Sequence, residues 1–208
     1  MKEKLECLKQ DFPIDKVISQ YPSVDCGDLA FCPLHQIAYQ KDMSKSVKYS
    51  KDYFEKYVKY EGTELAKLIN DARVGLAKKY CKKILDVGIG SGEFIKSWLL
   101  RDESHCEAYG YDINEHGVNW LKERKIFFDL EKEDPKDFDG VTLWDTLEHM
   151  KAPSDFLDMF PIGMHVFISI PIFNEFNEQD YDLEALKLNK HFRPNEHYYY
   201  FSQDSMKN

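Results

Sequence analysis

Residues 84 to 93 run Ile84-Leu85-Asp86-Val87-Gly88-Ile89-Gly90-Ser91-Gly92-Glu93. A short apolar run closes on a carboxylate, three glycines follow at alternate positions, and a helix-like stretch begins at Glu93. An apolar run of this length suits a strand buried on both faces, which means a parallel sheet. Gly88, Gly90 and Gly92 permit a tight turn and leave no side chain between the backbone and a ligand. The helix from Glu93 presents unpaired N-terminal amides to a polar or anionic group. Strand, glycine turn and helix together place a ligand site at this point of the chain.

Several cofactor folds share that unit, and two details narrow the choice. The glycines follow G-x-G-x-G, whereas a dinucleotide site follows G-x-G-x-x-G. A second run, Ala108-Tyr109-Gly110-Tyr111-Asp112, also ends in an acid. Asp112 lies about 20 residues past the last glycine, the spacing at which a carboxylate takes both hydroxyls of a ribose.

The segment Asp86 to Gly92 resembles the D-x-G-x-G-x-G turn of class I methyltransferases that use S-adenosylmethionine, with Asp112 in the place of their ribose acid. Phe127-Phe128-Asp129-Leu130 falls where that family contacts adenine. Phe138 to His149 is similar to the fourth-strand segment of the small-molecule branch, which commonly continues into Leu-Glu-His, here Leu147-Glu148-His149. Phe167-Ile168-Ser169-Ile170-Pro171 resembles the fifth strand. The likeness covers roughly residues 73 to 201, as four blocks in the family's order.

A length of 208 residues fits one domain with an N-terminal extension. We expect residues 1–60 to form a loop-rich and then helical cap, and residues 61–208 to form the S-adenosylmethionine-binding domain. No apolar run is long enough for a membrane span, and the N-terminus lacks the apolar core of a secretory signal, so a cytoplasmic protein is expected. Five cysteines at irregular spacing read as reduced thiols. Cys26, Cys32 and His35 form a partial zinc-like set, but there is no C-x-x-C pair, and no metal is expected. The net charge of −9 disfavours long nucleic acids as partners. Residues 41–83 are nevertheless basic, with about twice as many Lys and Arg as Asp and Glu, and residues 101–160 reverse that balance. The basic stretch is either an attractor for an anionic substrate or a solvated helix face.

From Lys83 the pattern alternates strand and helix. Strands are expected near 83–87, 108–112, 126–128, 140–144 and 164–170, and helices near 93–101, 115–123 and 154–159. This is a Rossmann-like α/β fold, a parallel sheet with helices on both faces. Upstream, Thr63 can cap a helix over 64–80 whose apolar positions Leu65, Leu68, Ile69, Ala72 and Leu76 share a face. Tyr49, Tyr53, Tyr57 and Tyr60 line one face of an earlier helix. Residues 1–40 show no clear period. Past Phe201 a capped helix begins, and the two further strands typical of the resembled family are missing. The sheet edge left uncovered invites a homodimer.

The resemblance assigns roles. Gly88, Gly90 and Gly92 pack against the methionine half of S-adenosylmethionine, and Asp86 holds the loop or reaches the cofactor's amino group. Asp112, with Ile113 after it, takes the ribose, unless Asp112 is simply the cap of the next helix. Phe128 and Asp129 flank adenine, or Asp129 is a surface loop acid. Asp145 meets the methionine end, and Arg73 pairs with the cofactor carboxylate or lies on a helix surface. Tyr57 lids the sulfonium or is packing. His149 is the candidate catalytic base, with a structural role as its rival. His191, Glu196 and His197 border the acceptor pocket and form a weaker candidate metal set. The expected activity is transfer of a methyl to an oxygen or nitrogen of a small molecule, releasing S-adenosylhomocysteine. The fourth strand lacks the Asp-Pro-Pro-Tyr of base amino methylases, and no Pro-Cys pair offers a thiolate for pyrimidine attack. The rivals are a protein or nucleic-acid methyltransferase that uses residues 1–60 for recognition, and a non-catalytic cofactor-binding scaffold.

Overall fold

The computed structural model describes residues 29–32, 36–41, 55, 58–59, 62–100, 105–173 and 183–206. The chain divides into two compact units that interleave along the sequence. One comprises Lys48–Trp144 and Phe160–Ser169; the other comprises Met1–Val47, Asp145–Met159 and Ile170–Asn208.

The first unit is built on parallel strands. In chain order the described elements are helix α1 (Glu64–Ala77), strand β3 (Lys83–Val87), α2 (Glu93–Leu100), β4 (Glu107–Tyr111), α3 (Glu115–Glu123), β5 (Gly140–Trp144) and β6 (His165–Ser169). The labels β1 and β2 belong to the other unit, at Leu29–Cys32 and Ile37–Gln40. The sheet order is β4-β3-β5-β6. The register pairs Leu85 with Tyr109 on one side and with Val141 on the other. The chain leaves β3 for β4 on one side and later returns to β5 on the other, so β3 and β5 flank a topological switch point. Ligands of open parallel sheets bind outside the carboxyl ends of the strands at such a point. The Asp86–Gly92 segment leaves β3 there.

Local chemistry fixes these elements. Asp139 Oδ2 accepts from the backbone amides of Lys82 and Lys83, both at 2.8 Å, which anchors the start of β3. Thr63 caps α1 by accepting from the Ala66 amide at 3.2 Å. Val74, Ala77, Ile84, Ile95, Trp98 and Leu121 are fully buried in one core that joins α1, α2, α3 and the sheet.

Two expectations need correction. The apolar stripe on α1 is not its core face: Leu65 and Leu68 are 67% and 66% exposed, and Ile69 and Leu76 are also exposed. The buried positions are Asn70, Val74 and Ala77, one helical turn apart on the opposite stripe. Val74 and Ala77 are small enough to bring the helix close to the sheet, so proximity outweighed side-chain size. The strand expected near 126–128 shrinks to a single parallel bridge, Gly110 to Phe127. Lys125 has φ 61° just before it and a turn begins near Leu130, which leaves no room for a ladder.

The second unit has an antiparallel sheet in the order β1-β2-β7, where β7 is Tyr199–Phe201. Ala38 lies opposite Phe31 on one side and Tyr200 on the other. Leu29, Ala38, Phe173, Leu186 and Tyr200 form its separate core. It also carries two short helices, α4 (Pro153–Leu157) and α5 (Leu183–Leu188), and a 3-10 turn at Leu147–His149. No periodicity in residues 1–40 marked the β1–β2 hairpin. After Phe201 the described residues make a turn, in which Ser202 Oγ accepts from the Ser205 amide at 3.0 Å.

Candidate functional site

The glycine turn after β3 takes backbone angles that side chains resist. Gly88, Gly90 and Gly92 have φ of 73°, 55° and 78°. Two of them differ in what surrounds them. A Cβ on Gly92 would lie 2.8 Å from the Trp120 ring, so this glycine lets the loop close onto α3. A Cβ on Gly90 would meet nothing within 4 Å. Gly90 therefore fronts open space, the cradle a ligand needs and a side chain would fill.

Asp112 leaves β4 and turns back onto this loop. Its Oδ1 accepts from the Asn114 amide at 2.7 Å. Amides of Ile89, Gly90 and Ile113 also stabilise its charged form, while burial pushes its pKa up. A Cβ on Gly117 would lie 3.0 Å from the Asp112 carboxyl carbon, so α3 makes room for this side chain. The cap of α3 is Asn114, whose Oδ1 accepts from the His116 amide at 2.9 Å. Asp112 is thus not the helix cap. It is an acid held against the glycine loop, with the exposed Ile113 beside it.

Asp86 lies within β3 and is 2% exposed. Thr142 Oγ1 on β5 donates to its Oδ1 at 2.6 Å. Burial raises the Asp86 pKa to about 7, partly opposed by the Thr142 hydrogen bond and the positive charge of Arg73. Arg73 is half-buried rather than a surface residue. Its Nη2 donates to Ser169 Oγ at 2.9 Å, and its guanidinium lies 4.8 Å from the Trp144 ring centroid. Ser169 and Trp144 are the last residues of β6 and β5, so this cation stands at the carboxyl edge of the sheet.

A family model described as a methyltransferase domain matches residues 54–208. The chain belongs to the methyltransferase-domain family. It is a class I methyltransferase whose methyl donor is S-adenosylmethionine. Among solved structures, a SAM-dependent methyltransferase from Archaeoglobus fulgidus is similar, with 23% identity and a TM-score of 0.46 over 74% of this chain and 70% of that one. Nothing among the curated proteins matches.

The residues of the methyltransferase fit this cofactor. The open space at Gly90 would leave room for a ligand. Asp112 would offer a carboxylate to a diol, and Arg73 a fork to a carboxylate. When bound, the cofactor would supply an electrophilic methyl on a sulfonium, and these groups would hold and orient it.

Other expected site residues make local contacts of their own. Asp129 is engaged locally: Lys132 Nζ lies 2.6 Å from its Oδ2, and its Oδ1 accepts from the Glu131 amide at 3.2 Å. Phe128 packs edge-on against Phe138, with ring centroids 4.9 Å apart. Asp145 follows β5 in a left-handed conformation, φ 53°, uncommon for a non-glycine residue and a sharp exit from the strand. Tyr57 and its neighbour Tyr60 lie outside the described residues, as do Cys26 and His35.

In the second unit of the methyltransferase, His149 belongs to a cluster that sequence reasoning did not assemble. Its Nδ1 lies 2.9 Å from the Glu196 carbonyl oxygen. A carbonyl only accepts, so Nδ1 carries the proton and Nε2 the lone pair. Burial lowers the His149 pKa. The His197 ring stands edge-on to it, with centroids 4.7 Å apart. Glu148 is 1% exposed and His197 3%. The signal for this pairing was present in the sequence as two separate sets, Leu147-Glu148-His149 and His191-Glu196-His197. Their union depends on chain return and is not visible in either.

Proposed function

We propose that the protein transfers the methyl group of S-adenosylmethionine to an oxygen or nitrogen of a small molecule. The observation that carries this reading is the stretch after the fourth strand of the domain, Trp144-Asp145-Thr146-Leu147-Glu148-His149. It lacks the Pro-Pro-Tyr platform for a flipped base and is similar to the small-molecule branch. A net charge of −9 supports the same choice, because a phosphate backbone is bound by excess positive charge. The basic stretch at residues 41–83 favours an acceptor that carries a phosphate or carboxylate.

The test is transfer of a labelled methyl group to pools of small metabolites, to total RNA and to denatured protein, at low and high salt. The expected result is label in small molecules. Its rate should change little with salt, or by no more than the few charges of a small anion require. Label in RNA or protein, with a steep loss as salt rises, would sink the small-molecule reading and leave the methyltransferase assignment intact.

A further inference from the structure

We propose that Glu148, His149 and His197 bind a divalent transition-metal ion of the zinc type. The 3-10 turn at Leu147–His149 sets Glu148 and His149 side by side. The chain returns past Arg193 and brings His197 to them, pinned by backbone hydrogen bonds from the Tyr198 amide to the Glu148 carbonyl at 2.8 Å and from the His197 amide to the Arg193 carbonyl at 3.0 Å. One ligand atom from each residue lies within 4.8 Å of the others. Tetrahedral donors at zinc bond lengths stand about 3.3 Å apart, so small side-chain rotations close the set on an ion.

Two independent observations point to a cation. Glu148 Oε2 and His197 Nδ1 are buried with no hydrogen-bond partner among the described residues. Buried polar atoms left unsatisfied are rare and costly, and these two belong to the same cluster. His149 is held in the tautomer a metal takes, with its other nitrogen donating to a carbonyl, the usual outer partner of a metal-bound imidazole. Arg193 Nη1 lies 3.2 Å from Glu196 Oε2 and is engaged there.

Two imidazoles and one carboxylate suit zinc, cobalt or iron, and three protein ligands leave a coordination position for water or an oxygen donor. The ion would tie the 3-10 turn to the segment entering β7. The inference does not depend on which acceptor is methylated.

The experiment uses the full chain without a histidine tag, stripped with chelator and titrated with Co²⁺ and then Zn²⁺. We expect one Co²⁺ per chain, visible bands of a nitrogen and oxygen site, and displacement by Zn²⁺. Zn²⁺ at about 100 times its Kd should raise the melting midpoint by roughly 5–10 °C. Glu148→Gln and His197→Gln should each weaken Co²⁺ at least ~10-fold, with the circular dichroism spectrum preserved. Wild-type protein that takes up no stoichiometric Co²⁺ overturns the proposal without any variant. So does a thiolate-to-cobalt charge-transfer band, which would place the ion on Cys26 and Cys32. Unchanged affinity in folded Glu148→Gln overturns it as well.

Discussion

Asp86 and Glu148 are both carboxyl groups folded almost wholly out of water, and burial raises the pKa of each, to about 7 and about 8. Their surroundings differ. Asp86 sits in the middle of a parallel sheet, receives a hydrogen bond from Thr142 and feels the charge of Arg73. Glu148 sits in a 3-10 turn, feels Arg193 only at a distance, and keeps one oxygen with no hydrogen-bond partner among the described residues. The first acid is satisfied by its own fold, through a hydrogen bond that joins β3 to β5. The second is left open beside two imidazoles, an arrangement that makes sense with a ligand. Burial alone therefore does not mark a binding group; two unsatisfied ligand atoms clustered with a third ligand point to one.

The comparison can be broken from either side. The largest effect is expected for Thr142→Val. It removes the hydroxyl from a buried carboxyl and should destabilise the fold by about 1–3 kcal/mol, read as a lower denaturant midpoint. A neutral result would show that Asp86 is satisfied by something else. Asp112→Ala comes next. If this acid binds the ribose, affinity for S-adenosylhomocysteine should fall by at least ~1.5 kcal/mol, about tenfold, in calorimetry on a folded variant. Unchanged affinity would end that assignment.

The pH dependence sharpens the account of Asp86. Its folded pKa is raised above the ordinary carboxylate value. The stability it contributes is fully present below about pH 4 and is lost as pH rises through about 7. Arg73 opposes this shift, while the nearby charge of Asp112 adds to it. The wild-type denaturant midpoint should therefore fall across that window more steeply than that of Asp86→Asn. Parallel slopes in the two proteins would show that Asp86 does not titrate there. The smallest effect is expected at the other acid. In metal-free protein, Glu148→Gln replaces a buried carboxyl that keeps one oxygen without a hydrogen-bond partner among the described residues, and should leave stability within ~0.5 kcal/mol or raise it. A loss of several kcal/mol without metal would mean that Glu148 has a partner in the fold itself.

Much of the cofactor half was legible because its signals are local. Asp86 through Gly92 encodes strand, turn and helix within ten consecutive residues, and Thr63 caps α1 as expected, whereas the cap of α3 is Asn114 and not Asp112. The observed α2, α3, β3 and β5 fall within a residue of the expected spans. The stripe on α1 misled because hydrophobic spacing shows that a helix is two-sided without showing which side meets the sheet. Val74 and Ala77 met it. The β1–β2 hairpin was invisible because its strands are four residues long and its third partner, β7, is contributed from the far end of the chain.

The sequence by itself determined the alternation of strand and helix, the glycine turn, the acid at the end of β4 and, through their order, the methyltransferase family. These depend on backbone freedom and on spacing along a few residues, which a linear chain can record. Tertiary structure alone decided that Thr142 rather than solvent would meet Asp86, that Arg73 would turn inward to the strand ends, and that Glu148 and His149 would find His197. Each of those contacts joins residues about 50 or more positions apart, except the neighbours Glu148 and His149 themselves. Such contacts exist only because packing within each unit brings distant segments together, where the low local dielectric makes each polar partner count.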